Sequence, residues 1–327
     1  MKDFAPIVLF VYNRPSHTKK VVDGLLNNDE AKYSDLYIFA DGAKQSITED
    51  GLKKLKEVRD YIHTIKGFRN VYIDESDTNR GLANSTIRGC SKVINKYGCM
   101  IMMEDDDVPN EFFLDYMNRT LVKFKDDTSI WCVGGYTDTG IIPVKEGEDL
   151  FLVNRPTSWG FGTWKRCWDK VIWDIETLKG LFSHKDIRRS YDLWGGLESS
   201  YIMMLLFEGK SSSWSIRYNF AAYLNNAYTI LPKKSLIENI GCDGSGTHCG
   251  IIDYNLNMME HKVIIPDQIK FDRKRNKQLW NSFIPKGFKN WIRYVYFRHR
   301  LVKKYRKKCF LTYLTNLMFY INIMIYT

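Results

Sequence analysis

The sequence has no closely spaced pair of cysteines. Its seven cysteines are scattered through 327 residues, they form no CxxC motif, and their number is odd. These features argue against a zinc-binding module and against a disulfide framework. We therefore expect reduced, mostly buried thiols, as in a cytosolic protein.

The sequence also has no internal repeat, no low-complexity tract and no acid in its basic tail. Residues 285–308 carry ten Lys and Arg and no acid, and without them the chain has 38 basic against 38 acidic residues. The rest of the chain therefore has no excess of positive charge that would favour binding to nucleic acid. The N-terminus enters an apolar β-type stretch without the regions of a signal peptide, so we expect none.

Apolar β-type stretches alternate with helix-period stretches through the first 135 residues, a pattern typical of βαβ units with a mostly parallel sheet. The predicted strands are Ile7–Tyr12, Leu36–Ala40, Val71–Asp74, Cys99–Met103 and Trp131–Gly134. The predicted helices are His17–Leu26, Glu49–Ile65, Leu82–Lys96 and Glu111–Lys125. We therefore predict a Rossmann-like α/β half at residues 1–135.

The composition changes after about Pro143, where tryptophans become dense and Gly, Ser and Asn punctuate the chain. We predict that residues 136–271 complete the same domain and shape a pocket at the sheet edge. Residues 272–327 form a basic, aromatic helical tail that ends in 19 uncharged residues, Cys309–Thr327. This tail favours an interfacial anchor on anionic lipid. The alternative is a C-terminal helix that packs on the domain.

Four consecutive carboxylates, Glu104 to Asp107, follow an apolar strand. They repel one another, and a hard divalent cation such as Mg²⁺ or Mn²⁺ would compensate them. The alternative is a solvated turn that opens the next helix, where acids are also favoured. The strand before the run favours a site, because it delivers the acids to an edge of the sheet.

Two other predicted strands end in polar residues, at Arg14 and at Asp41. Since the carboxyl ends of parallel strands share one edge, Arg14, Asp41 and Asp106 should face one crevice. Arg14 could pair with a carboxylate or a phosphate, and Asp41 could accept from a nucleobase or ribose. A metal held by Asp106 would bridge a diphosphate.

Two later stretches have the composition of a sugar pocket and of a mobile loop. Trp159-Gly160-Phe161 places a glycine between aromatic rings, and such rings suit the apolar faces of sugars. The alternative is a Trp-rich core element. The glycine-rich stretch 241–250 carries His248, which is either a diphosphate contact or a solvated loop residue.

In these motifs the chain resembles the GT-A glycosyltransferases, and within them a bacterial group akin to the Golgi N-acetylglucosaminyltransferase that acts first on high-mannose glycans. The matching motifs span residues 6 to about 250. They are Pro6-Ile7-Val8 with Asn13-Arg14, Asp41-Gly42, Arg80 with Asn84, Glu104-Asp105-Asp106, Phe112-Phe113, Ile130-Trp131-Cys132-Val133, Trp159-Gly160-Phe161-Gly162-Thr163-Trp164-Lys165, and Gly241-Cys242-Asp243-Gly244-Ser245-Gly246-Thr247-His248.

The resemblance implies a role for each matching residue. Asp106 would ligate Mn²⁺ or Mg²⁺, while the nucleotide-sugar donor would be bound by Arg14, Asp41, Arg80, Asn84, Glu104, Asp105 and His248. The acceptor would lie against Trp159, Gly160, Phe161 and Trp214. Asp107 matches nothing catalytic and is interpreted as helix-start chemistry.

The resemblance also leaves the general base open. It implies an Asp immediately before Trp214, but this chain has Ser213 there. A serine is no base at neutral pH without an activating partner. Glu198, Asp192 and Asp243 are the alternative bases, and loss of activity is the other explanation.

The favoured function is a metal-dependent, inverting glycosyltransferase that uses a nucleotide-diphosphate sugar and acts on a saccharide or lipid-linked acceptor. It would work in bacterial surface polysaccharide assembly, in the cytoplasm at the inner face of the cell membrane. The alternatives are a non-catalytic sugar-nucleotide or glycan-binding relative and, less favoured, a nucleotidyltransferase. A nucleotidyltransferase usually has a glycine-rich phosphate loop after its first strand, and Tyr12–Ser16 contains no glycine.

Overall fold

The computed structural model describes residues 4–138, 147–196, 199–244 and 256–282. Its strands are β1 (Ile7–Val11), β2 (Asp35–Ala40), β3 (Asn70–Glu75), β4 (Cys99–Glu104), β5 (Asp107–Pro109), β6 (Ile130–Gly134), β7 (Leu150–Val153), β8 (Phe161–Trp164), β9 (Tyr228–Pro232) and β10 (Ile237–Asn239). Its helices are α1 (Pro15–Leu26), α2 (Glu49–Ile62), α3 (Leu82–Tyr97), α4 (Phe113–Lys123), α5 (Lys165–Trp168), α6 (Ile175–Phe182), α7 (Lys185–Gly195), α8 (Ser199–Phe207), α9 (Ser215–Leu224) and α10 (Arg273–Ser282).

The central sheet has the strand order β3-β2-β1-β4-β8-β6-β9-β7. The pairings β1–β2, β1–β4, β2–β3 and β6–β9 are parallel. Strand β8 runs antiparallel to β4 and β6, and β7 runs antiparallel to β9. Strands β5 and β10 form a separate antiparallel ribbon. The predicted α/β class, with a mostly parallel sheet flanked by helices, is thus confirmed.

Strands β1 and β4 form the centre of the sheet. Met100 to Met103 are completely buried, which is typical of parallel strands covered on both faces by helices. Helix α3 packs against β1 and β2, and a side chain at Gly89 would collide with the rings of Phe10 and Phe39. This close packing fixes the position where β4 ends and the acidic run begins.

The strands and helices predicted in the first 135 residues are all present, with small shifts at their ends. Helix α2 ends at Ile62 instead of Ile65, and α4 begins at Phe113 instead of Glu111. The late start of α4 has a local cause, because the side chain of Asn110 accepts a hydrogen bond from the Phe112 amide at 3.1 Å. Residues 110–112 therefore form a turn rather than a first helical turn.

Helices α6 to α9 pack around an apolar core of their own. Its most buried members are Leu178, Phe182, Tyr191, Met203 and Phe220. Of the tryptophans that are dense in the second half of the chain, Trp194 packs against this cluster, whereas Trp164, Trp168 and Trp214 belong to the main core.

The central sheet takes strands from both sides of residue 135, since β7, β8 and β9 follow that position. At the C-terminal end, the structure describes the predicted tail only as far as α10. The rest of the tail, including residues 285–327, lies outside the described residues. None of the described helices combines the length and the apolar character needed to cross a bilayer.

Candidate nucleotide and metal site

Arg14 lies at the carboxyl end of β1, beside the acidic run at the end of β4. The two strands are parallel and register Phe10 with Glu104, so the residues that follow them emerge side by side. Arg14 donates through Nη1 to Asp106 Oδ2 at 2.9 Å and through Nη2 to Asp105 Oδ1. Of the three residues predicted to face one crevice, Arg14 and Asp106 pair directly, and Asp105 joins them. Asp41 follows the neighbouring strand β2, where its amide donates to the Val11 carbonyl at 3.3 Å.

Each of these two aspartates retains one buried oxygen without a hydrogen-bond partner, Oδ2 of Asp105 and Oδ1 of Asp106. An unpartnered carboxylate oxygen in a buried site is costly, and a hard cation would satisfy it. The described residues contain no group of three or more His, Cys, Asp or Glu side chains arranged for a metal ion. Mg²⁺ commonly binds through one or two carboxylates together with substrate phosphates, so Asp105 and Asp106 fit such an ion.

Asp107 was expected to belong to the start of a helix, and this expectation was wrong. It lies in β5 and is fully buried. Its carboxylate accepts from the amides of Glu104 and Gly160 at 3.1 and 3.0 Å, and from Asn239 Nδ2 at 3.2 Å. Burial and the neighbouring acids Asp106 and Glu104 raise its pKa well above the usual range. Asp107 therefore anchors the acidic run to two distant segments.

Glu104 lies at the end of β4, next to Trp214. Burial, followed by the charges of Asp106 and Asp105, raises the pKa of Glu104 to about 8. Arg14 and a hydrogen bond from the Trp214 side chain act in the opposite direction. Burial also raises the pKa of Asp105, against the effect of Arg14. The ion pair with Arg14 and the raised pKa values of Glu104 and Asp105 thus reduce the net negative charge of the cluster.

The chain after β10 crosses directly over Asp106. The Ile240 amide donates to the Asp106 carbonyl at 2.9 Å. A Cβ atom added at Gly241 would lie 2.0 Å from Asp106 Oδ2, so a larger residue there would displace the carboxylate. Sequence reasoning singled out Gly241 as part of a loop but missed this contact with the acidic run. The local sequence around Gly241 does not indicate which strand end this residue contacts in the fold.

Asp41 organises the loop beside the predicted nucleoside site. Its carboxylate accepts from the amides of Gly42, Arg80 and Gly81, each at 2.9 Å, and from Asn79 Nδ2 at 3.2 Å. These four bonds occupy most of the acceptor capacity of a carboxylate. A direct contact between Asp41 and the nucleoside stays a prediction.

A small, partly open pocket lies beside this loop. It is lined by Phe39, Ala40, Asp41, Asp74, Ser76, Arg80, Ser85 and Arg88. Asn84 stands one helical turn after Arg80 and donates to its carbonyl at 2.9 Å. The predicted donor residues Asp41, Arg80 and Asn84 therefore lie together, at the carboxyl ends of β2 and β3.

The predicted acceptor residues are more buried than expected. Phe161 belongs to β8, has no exposed surface and stacks on Trp214 with ring centroids 5.7 Å apart. The prediction that Phe161 contacts the acceptor was wrong, because strand formation puts this ring in the core. Gly160 is also buried and donates to Asp107. Trp159 is half-buried, with its ring edge-on to Tyr136.

The candidate bases differ in their positions. Asp192 is buried in the helical cluster and accepts from the Ser200 amide at 2.9 Å, so it has a structural role instead of the predicted one. The side chain of Asp243 is 48% exposed and lies 3.2 Å from His17 Nε2. Ser213 Oγ accepts from the Ile216 amide at the start of α9. Glu198 and His248 lie outside the described residues.

No family model and no curated protein matches the chain. Solved structures do. The mannosyltransferase PcManGT from Pyrobaculum calidifontis, in complex with GDP-Man and Mn²⁺, is 12% identical over 52% of this chain and 49% of that chain, with a TM-score of 0.34. TarS from S. aureus is 12% identical over 72% and 36%, with a TM-score of 0.40. An active-site mutant of LgtC is 10% identical over 53% and 61%, with a TM-score of 0.31. The chain thus spans about half the length of the mannosyltransferase and about a third of that of TarS.

Proposed function

We propose that this protein is a metal-dependent, inverting glycosyltransferase that uses a nucleotide-diphosphate sugar. One observation carries the proposal: two buried carboxylates, Asp105 and Asp106, each keep an unpartnered oxygen at the end of a parallel strand. A ligand that brings both a divalent cation and phosphate groups would satisfy these oxygens and the adjacent arginine together.

Residues at the edge of the sheet would contact different parts of the donor. The nucleoside would lie against the loop that Asp41 and Arg80 form, and Arg14 would contact the diphosphate while it orients Asp105 and Asp106. Asp106 would hold Mn²⁺ or Mg²⁺, with Asp105 close to it. When bound, the metal would act as a Lewis acid that stabilises the charge developing on the leaving diphosphate.

Asp243 is the candidate base among the described residues, because its carboxylate is exposed and lies in the segment that follows Gly241. Glu198 is the other candidate. A base must reach the acceptor hydroxyl and take its proton as the sugar is attacked from the opposite face. His17 Nε2 lies 3.2 Å from Asp243 Oδ2 and would help to hold this carboxylate in position.

A thermal-shift screen of nucleotide sugars, with and without Mn²⁺, tests donor binding. We expect one nucleotide sugar to stabilise the protein only when Mn²⁺ is present. The response should vanish in Asp106→Asn and persist in Asp169→Asn, since Asp169 pairs only with the neighbouring Lys165 at the surface. No response to any donor with Mn²⁺ would refute the proposal.

A non-catalytic binding relative is the second candidate, favoured by Ser213 in the expected position of the base. In that case a nucleotide sugar would bind with Mn²⁺ but would be neither transferred nor hydrolysed. Turnover that survives Ser213→Ala and is lost in Asp106→Ala would eliminate this alternative.

The acceptor and the location form a separate part of the proposal. We propose a saccharide or lipid-linked acceptor at the inner face of a bacterial cell membrane, in surface polysaccharide assembly. The ten basic residues of 285–308 support attraction to anionic lipid. Full-length protein should sediment with anionic phosphatidylglycerol vesicles and not with neutral phosphatidylcholine vesicles. If deletion of residues 285–327 leaves this sedimentation unchanged, the anchor is elsewhere.

A further inference from the structure

Arg217 is a buried arginine that has no acidic partner among the described residues. It lies in the first turn of α9, and only 7% of its surface is exposed. Its Nη1 donates to the Trp173 carbonyl at 3.1 Å, and its guanidinium lies over the Trp173 ring, 5.5 Å from the centroid. Its Nε is buried and has no hydrogen-bond partner.

Three other arginines in the described part of the chain, Arg275, Arg14 and Arg166, are compensated. Arg275 is equally buried and pairs with Glu148 at 2.9 Å. Arg14 pairs with Asp105 and Asp106. Arg166 stacks on a tryptophan as Arg217 does, but its Nε, Nη1 and Nη2 all donate to backbone carbonyls. Arg217 differs from these three arginines, because its Nε has no described partner and no described acid balances its charge.

The position of Arg217 adds a second electrostatic cost. The first turn of a helix carries a positive partial charge, which favours anions and disfavours cations. Helix α9 has no acid in this turn. Burial alone lowers the pKa of Arg217, yet a guanidinium stays protonated in proteins. A positive side chain and a positive helix end thus coincide, and no negative group of the described chain balances them.

We propose that Arg217 and the N-terminal turn of α9 bind an oxyanion, a phosphate or a carboxylate, carried by the ligand. Arg217 is the third residue of α9, and its guanidinium lies over Trp173, a ring that packs through Trp168 toward Trp214 at the start of the helix. The serine-rich turn 211–215 leads into this helix start. In that turn Ser212 is exposed, while Ser213 and Ser215 are half-buried, so a ligand can approach there. Serine hydroxyls and a guanidinium fork are the donors that oxyanions prefer.

The turn also connects this site to the acidic run. Trp214 directly precedes α9, and its side chain donates a hydrogen bond to Glu104. The oxyanion would therefore lie next to Trp214, whose side chain also contacts Glu104 in the acidic run. Resting on the proposed function, this assigns the oxyanion to the acceptor, which would carry a phosphate or an acidic sugar near the reacting hydroxyl.

Nuclear magnetic resonance of the arginine Nε–H groups tests the site directly. The Arg217 signal is assigned by its loss in Arg217→Lys, and the full chain is titrated with inorganic phosphate or acetate at constant ionic strength. We expect a saturable shift of the Arg217 signal, while the Arg166 signal stays in place. Arg217→Gln should weaken the same anion by about tenfold or more, as followed by the indole signals of Trp173 and Trp214.

The outcomes separate the two sources of the oxyanion. A shift with phosphate alone indicates a phosphate-bearing acceptor, whereas a shift with acetate indicates an acidic sugar. If neither anion moves the Arg217 signal in a saturable way, Arg217 only supports Trp173 and the proposal is overturned. The titration contains no nucleotide sugar, so its failure leaves donor binding untouched, and failure of the donor screen leaves the oxyanion site untouched.

Discussion

Gly241 lies against the carboxylate of Asp106, and a Cβ atom there would be only 2.0 Å from Oδ2. The Gly241→Ala substitution should therefore push Asp106 away from Arg14. A displacement of this size lowers the affinity for the donor with Mn²⁺ by about tenfold to a hundredfold. Isothermal titration with the donor found in the screen measures this change.

Gly209→Ala is the matched control for Gly241→Ala. Gly209 has a positive φ and open space around its Cβ position, so the control costs about 1 kcal/mol of backbone strain. It should leave the donor affinity unchanged. Equal affinities in wild type and Gly241→Ala would show that the position of Asp106 does not matter for the donor.

Asp106 and Asp107 are adjacent, but we expect substitution of Asp107 to lower stability and substitution of Asp106 to abolish donor binding. Asp107→Ala strands three buried donors and should lower the free energy of unfolding by about 2–3 kcal/mol. Asp106→Asn should change stability by less than about 1 kcal/mol and abolish the Mn²⁺-dependent response to the donor. Urea unfolding and the thermal-shift screen measure the two quantities. A stable Asp107→Ala protein would contradict the anchoring role of Asp107.

Asp35 should make the protein sensitive to acid. Its carboxylate accepts from Arg69, Asn70 and Tyr97, all at 2.8 Å, and only 4% of its side chain is exposed. Hydrogen bonds from Arg69, the largest cause, hold its pKa far below the usual range. The ionised Asp35 carboxylate therefore stabilises the folded protein at pH values above its unfolded-state pKa of about 4. This stabilisation is lost as the pH falls below that value.

The Asp35→Asn substitution tests this pH dependence. It should cost about 1–3 kcal/mol at pH 7 and flatten the decline in stability as the pH falls from about 4 through the strongly acidic range, down to the depressed folded-state pKa. The exposed Asp126→Asn is the control and should retain the wild-type decline. The same acid dependence in wild type and Asp35→Asn would place the acid sensitivity elsewhere.

The buried cysteines should be unreactive in the folded protein. Burial raises the pKa of Cys132 to about 12 and that of Cys167 to about 11, and it also raises the pKa of Cys90. Since the thiolate is the reactive form, iodoacetamide should leave these three thiols unmodified until denaturant is added. Peptide mass spectrometry of the alkylated protein measures this directly. Rapid native alkylation of Cys132 would contradict its position in the sheet.

The sequence predicts the parallel part of the fold well, because its apolar runs and helix periods are local signals. Strand β4 and the acids after it follow from a buried run that meets a cluster of charge. The meeting of Arg14 with Asp105 and Asp106 follows from topology alone, because parallel strands end at the same edge.

The antiparallel strand β8 was missed because its residues, Phe161–Trp164, look the same whether they line a pocket or fill a core. The role of Asp107 was missed for a related reason. Its partners Gly160 and Asn239 lie 53 and 132 residues away, and hydrogen bonds over such distances cannot be predicted from the local sequence. The lone charge of Arg217 likewise depends on which acids fold next to it.

The hydrogen bonds of Asp107 also order events during synthesis and folding of the chain. A nascent chain of 135 residues already contains the whole acidic run, yet it lacks Gly160 and Asn239, which supply two of the three donors. Contacts that close such long loops form late in folding, because closing the loop costs conformational entropy before the new contacts add any stabilisation. The acidic run therefore takes its final geometry only after most of the chain has been made, and a truncated product would contain these acids without that geometry.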